Sequence, residues 1–166
     1  MDNAKWFERK FDFDFGIDKY AAVFNRLQQA PDTLKNKVLH LPEDVLVFKP
    51  DGKWSIKEHT GHLSLLEPIW RIRFQDIRAG NAVLTPADLE NRATTEAGFN
   101  KYTISYLLEK FNYERGLTLA LLNSFETLEN GRTSKHPRLQ QAMRVIDLAY
   151  FVAEHDDHHL YQLVQT

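Results

Sequence analysis

The sequence predicts an all-α protein, a four-helix bundle with a long crossover loop. Two observations carry this. Four segments place apolar residues at steps of three and four, the spacing of one helix face. No run alternates apolar and polar residues long enough to be a convincing strand. The chain has 166 residues, a length expected for one domain over residues 1–166, with residues 1–16 as an N-terminal arm.

The arm, "KWFERKFDFDFG", alternates aromatic and charged residues from Phe11 to Phe15 and ends at Gly16. It is expected to lie extended with its phenylalanines on the body. The first helical seam runs Ile17, Tyr20, Phe24, Leu27, Leu34, Val38 and Leu41, with Pro31 expected to kink or break it. A second helix opens at "SIKE", a capping box with Ser55 as N-cap and Glu58 at N3. Its seam reads Ile56, His59, Leu63, Leu66, Trp70 and Ile77; Pro68 should free the carbonyl of Ser64, and Gly80 should end the helix. About twenty weakly periodic residues follow, "NAVLTPADLENRATTEAGFN", a length usual for a functional or mobile loop. The third helix is expected from about Tyr102 to Leu128 and the fourth from about Met143 to Val164, with "ENGRTSKHPRLQ" as a loop between them. Tyr102, Tyr106, Phe111, Tyr113, Tyr150 and Phe151 are expected mostly in the core.

Composition narrows the function. There is no cysteine, which excludes disulfides, thiolate zinc sites and a cysteine nucleophile. A formal net charge of −2 without a long basic run argues against nucleic acid as a partner. No apolar run of about 18 residues and no signal-peptide core argue against a membrane, so a soluble cytoplasmic protein is expected.

The chemistry gathers in "AEHDDHHLYQL", residues 153–163. Val145, Leu148 and Val152 set the inward face of the last helix, and the same steps reach His155, His159 and Gln162. His158 and Asp157 fall away from that stripe and are expected in solvent. Two imidazoles at i and i+4 have β-carbons about 5–6 Å apart and can converge on one metal ion. The alternative is a helix end where both rings hydrogen-bond to neighbours or water. A third histidine would decide between them, and "EHTGHL" offers two. Phasing favours His59, on the seam, over His62, about 60° off it.

Two stretches carry a family resemblance. "WSIKEHTGHL", residues 54–63, and "HPRLQQAMRVIDLAYFVAEHDDHHLYQL", residues 136–163, resemble the motifs of the DinB/YfiT-like superfamily, four-helix-bundle proteins regarded as metalloenzymes. "APDTL" and "LPEDVL" look familial too, so the likeness covers the chain from about residue 17. The resemblance implies a three-histidine divalent-metal site of His62, His155 and His159, with His59 and Gln162 behind the ligands. It chooses His62 against the phasing. Zinc or nickel leads as the ion, with manganese or iron next. Glu58 is a weak catalytic candidate, because the capping box already explains it. Trp54 and Ser55 read as a buried anchor and a cap, His136 as structural or surface, and His40 as exposed.

Three neutral nitrogen ligands leave coordination positions open, as in catalytic rather than structural zinc sites. Such an ion lowers the pKa of bound water from 15.7 toward about 7, or binds a thiol as thiolate. The expectation is hydrolase-type chemistry on a small-molecule substrate. The alternatives are transfer of a low-molecular-weight thiol, of the bacillithiol or mycothiol kind, to an electrophile, or a metal-binding stress-response protein without turnover. The aromatic arm could also support a homodimer.

Overall fold

The computed structural model describes residues 5–126 and 131–163. Four long helices form the bundle: α1 (Tyr20–Val38), α3 (Ile56–Ala79), α5 (Ile104–Asn123) and α6 (Val145–Gln162). Two short helices, α2 (Glu43–Val47) and α4 (Arg92–Glu96), lie in the connections. α1 packs against α5 and α6, and α3 packs against the same two helices. The order around the bundle is therefore α1, α5, α3, α6, and the long helices met first in the chain sit across a diagonal.

Local signals set the helix ends. The Ser55 hydroxyl accepts from Glu58 N at 3.1 Å, and the Glu58 carboxylate accepts from Ser55 N at 2.8 Å, the reciprocal pair of a capping box. Gly80 closes α3 in the left-handed region at φ 77°, a conformation glycine adopts without a Cβ penalty. Thr103, not Tyr102, caps α5, and the helix stops at Asn123. Leu128 and Val164, the expected ends of the third and fourth helices, lie outside the described residues.

Three expectations are corrected. Pro31 does not break α1, which runs through it. Proline removes the N–H that would bond the Leu27 carbonyl, and Arg115 on α5 donates to that carbonyl instead, at 2.9 Å. Met143 does not begin the last helix. It belongs to a two-residue strand, β2 (Ala142–Met143), antiparallel to β1 (Ser134–Lys135). Val83 bridges to Lys135 alongside, so the crossover segment is tied to this hairpin. Tyr102, Tyr106 and Tyr113 are exposed, because the inward face of α5 is taken by Leu107, Leu108, Phe111, Arg115, Thr118 and Leu122.

Of the α1 seam, Leu27, Leu34 and Val38 are buried, while Ile17 is exposed in the turn before the helix. The core divides into two clusters, one around Leu27, Phe74, Leu148 and Phe151 and one around Leu34, Leu63, Phe111 and Leu160. Arg115 sits between the helices, 1% exposed. It donates to Glu67 on α3 at 2.6 Å, to Asp156 on α6 at 2.7 Å and to Leu27 on α1, so one guanidinium ties all four helices. Burial alone would lower its pKa, but Asp156 and Glu67 raise it above the ordinary arginine range.

The arm lies across the bundle as expected. Phe11 is buried against Phe151, and Phe13 and Phe15 reach Tyr150. Arg9 pairs with Glu154 of α6. This anchoring carries Trp6 over the C-terminal half of α6, where the histidines are.

Candidate metal centre

His62 comes from the second turn of α3, and His155 and His159 from successive turns of α6. All three are buried. One nitrogen from each lies within 4.8 Å of the others, a group that could hold a metal ion. The ring centres are 4.8 Å apart for His62 and His159, 5.4 Å for His62 and His155, and 4.5 Å for the helix-α6 pair. The Nε2 atoms of His155 and His159 stand 3.2 Å apart, a separation that two nitrogens sharing one ion at roughly 2.0–2.1 Å can span.

The outer nitrogens have protein partners. His62 Nδ1 lies 2.8 Å from Thr94 Oγ1, on α4 of the crossover segment. His159 Nδ1 lies 2.8 Å from His59 Nδ1. If both ligands offer an Nε2 lone pair, their Nδ1–H groups donate, to the Thr94 hydroxyl and to His59 respectively, and His59 then carries its proton on Nε2. His155 differs: its Nδ1 is buried with no partner among the described residues. Burial holds all of these rings neutral, the form that ligates. It lowers His59 to about 4 and His62 to about 3, with neighbouring histidines adding to the effect, and holds His155 and His159 well below their ordinary value. The donor set therefore fits a divalent ion on the chemistry of its side chains.

The centre opens on a cavity of about 280 Å³ whose walls include Trp6, Trp54, Trp70, Phe151 and Leu89. The crossover segment closes one side of it. Gly61 permits this, since a Cβ there would stand 2.3 Å from carbons of the Phe99 ring. Trp54 is half-buried, not an anchor in the core, and its ring lies 4.7 Å from His62. His158 is also half-buried and lines the cavity, because the Trp6 ring covers it at 5.6 Å. Asp157 is partly exposed and pairs with Arg26.

Gln162 lines the cavity without a hydrogen bond to His159. Glu58 is not in the wall: one oxygen serves the cap and the other accepts from Lys49 Nζ at 2.8 Å. His40 is exposed, while His136 is buried and lines the cavity from the hairpin loop. Thr94 and Trp6 also reach this region, from sequence positions that helical periodicity does not connect to the histidines, whereas Arg73 lies on α3 itself, three turns past His62.

An inward-facing three-histidine cluster that could hold a metal ion, set between the neighbouring helices α3 and α6, defines a class of four-helix bundle. The model of the DinB superfamily matches residues 20–163, and the chain belongs to that superfamily. Among solved structures it is similar to YfiT from Bacillus subtilis, described as "a probable metal-dependent hydrolase with an unusual four-helix bundle topology". That likeness has a TM-score of 0.77 at 21% identity and covers 95% of this chain and 90% of the other. At that identity it speaks for the fold. No match was found among curated proteins.

Proposed function

We infer that the chain is a metal-dependent hydrolase acting on a small molecule, with His62, His155 and His159 holding one divalent ion. The carrying observation is the convergence of three buried imidazoles, within 4.8 Å of one another, on the wall of a cavity rather than in sealed core. The description of YfiT supports the same reading. Zinc and nickel suit an all-imidazole set best, with manganese and iron next. Such an ion, when bound, supplies a Lewis acid and lowers the pKa of a coordinated nucleophile.

The chain's own residues do the rest. Thr94 and His59 orient two of the rings. The aromatic walls exclude water from one side of a bound substrate and leave room for it at the ligand nitrogens. Trp6 and the crossover segment border the opening.

One observation favours thiol transfer as a second reading. Among the described residues Asp88 is the one acid in the cavity wall, and its two oxygens accept from Glu90 N and Ala93 N at 3.2 Å each. Among the described residues, no carboxylate without a hydrogen-bond partner therefore lines the wall as a general base for water. A thiol, more acidic than water, needs that help less.

The test is turnover of a panel of esters, amides and electrophiles by the metal-loaded chain, with and without added small thiol. Metal-dependent turnover in water alone supports the hydrolase. Turnover only with thiol selects the transferase. Metal binding with neither activity leaves a metal-stabilised binding protein.

A further inference from the structure

Beyond Trp70, the same cavity is lined by Arg73, His136 and Arg138. Arg73 is 2% exposed, nearly as buried as Arg115. Arg115 has two carboxylates; neither Arg73 nor Arg138 has an ion-pair partner among the described residues. The acid acting on Arg73 is Asp76, whose oxygens are already taken by Asn81 and by the amide and hydroxyl of Thr85. A buried guanidinium without a counter-charge is costly.

The hydrogen bonds around His136 sharpen the point. Its Nδ1 accepts from the backbone N–H groups of Arg138 and Leu139, both at 3.2 Å. The lone pair is therefore on Nδ1, and in the neutral ring the proton is on Nε2. Burial, with Arg73 and Arg138 adding to it, lowers this histidine to about 3, so the neutral ring is the resident form. Yet Nε2 faces another donor, Arg73 Nη1, at 3.3 Å. Arg73 Nε has the Thr85 carbonyl at 2.8 Å and Arg138 Nη1 the Phe7 carbonyl at 3.3 Å. Arg73 Nη1, His136 Nε2 and Arg138 Nη2 have no acceptor among the described residues, and all three side chains line the one cavity.

We propose that Arg73, His136 and Arg138 form an anion subsite, which takes the carboxylate or phosphate of the substrate whose reacting group lies at the three histidines. This rests on the enzyme reading above and names its substrate class: a small organic anion with an apolar body. An anionic oxygen beside His136 Nε2 would accept from both the imidazole and Arg73, ending the donor–donor confrontation and supplying the missing charge. The spacer is Trp70. Arg73 Cζ lies 5.4 Å from its ring centre, and the His155 ring lies 5.6 Å from it. Phe151, 5.1 Å from His136, continues the apolar wall. Asp88, the acid in the wall, is exposed and acts on His62, not on Arg73.

The test uses the full chain stripped of metal, so that anion binding at an ion cannot contribute. Benzoate, phenyl phosphate and neutral benzyl alcohol are titrated calorimetrically. At least one anion should bind about tenfold or more tightly than benzyl alcohol, the scale of one charge-assisted hydrogen bond; the tighter anion identifies the head group. Arg73→Gln and Arg138→Gln should each remove most of that preference and leave benzyl alcohol binding unchanged. Arg138, half-buried and outside the helices, keeps the test sound if Arg73→Gln disturbs folding, which circular dichroism reports. Equal binding of anions and alcohol, no binding by either anion, or a preference that survives in a folded variant overturns the subsite. Metal uptake, titrated separately, tests the enzyme reading. Anion preference in a chain that takes up no metal would remove the metalloenzyme and keep the subsite, and metal uptake without anion preference would do the reverse.

Discussion

The Nδ1 of His62 lies 2.8 Å from the hydroxyl of Thr94, thirty-two positions along the chain. This contact joins the inward face of α3 to the crossover segment and orients the ring that stands 4.8 Å from His159 and 5.4 Å from His155. Thr94→Val keeps the shape and removes the hydroxyl. Metal affinity should fall about 10–100-fold, as for other partners that orient a ligating histidine. A competition titration against a chromophoric chelator checks it; unchanged affinity would show that Thr94 only packs.

The three histidines should not be interchangeable with their neighbours. His62→Ala, His155→Ala and His159→Ala should each lose most bound metal by elemental analysis. His158→Ala should retain it, and His59→Ala should weaken it without abolishing it, because His59 reaches His159 and not the other ligands. Loss in His59→Ala with retention in His62→Ala would restore the choice that helix phasing favours.

That choice shows where sequence legibility ends. The α6 pair follows from Val145, Leu148 and Val152, because His155 and His159 continue their steps of three and four, although α6 too is buried on several sides. The α3 ligand does not follow in this way. Ile56, Lys57, Thr60, Gly61, His62, Leu63 and Ser64 are all buried, since α5, α6 and the crossover segment cover the helix on several sides. On such a helix a stripe has no edge, so His59 and His62 both face inward. The capping box and Gly80 were legible because their bonds are local. His158 was not, because the residue that covers it, Trp6, arrives from the far end of the chain. Pro31 reads as a break for the same reason: the arginine that satisfies Leu27 lies eighty-eight residues away from that carbonyl.

Arg115→Met should destabilise the protein by about 3–5 kcal/mol, since Glu67 and Asp156 are left buried without their cation. Urea unfolding measures it. Part of the loss should be the unpaired Leu27 carbonyl. Pro31→Ala restores an N–H for that carbonyl, so it should be better tolerated in the Arg115→Met background than in the wild type, by about 1 kcal/mol. An additive double-mutant cycle would separate the proline from the arginine.

Acid should destabilise the metal-free chain through its buried imidazoles before most carboxylates titrate; Asp156, raised to about 6 by burial, is the exception and offsets one of them. Burial lowers His59 to about 4 and His62 and His136 to about 3, against about 6.5 in an unfolded chain. Between those values the unfolded chain binds protons that the folded chain refuses, so stability increases with pH across the interval. The contribution is complete above about 6.5 and is lost progressively as pH falls toward the folded values. The melting temperature should therefore drop between pH 7.5 and pH 5, and drop less in His136→Gln, which removes one of the refused protons. Metal should add a second dependence of the same sign, because protons compete with the ion for the same nitrogens. The loaded chain should melt higher than the stripped chain at pH 7.5, and the gap should close toward pH 5. A melting temperature of the stripped chain that stays flat from 7.5 to 5 would mean these imidazoles are hydrated in the folded state, and the dry, neutral ligand set argued for the centre would not stand.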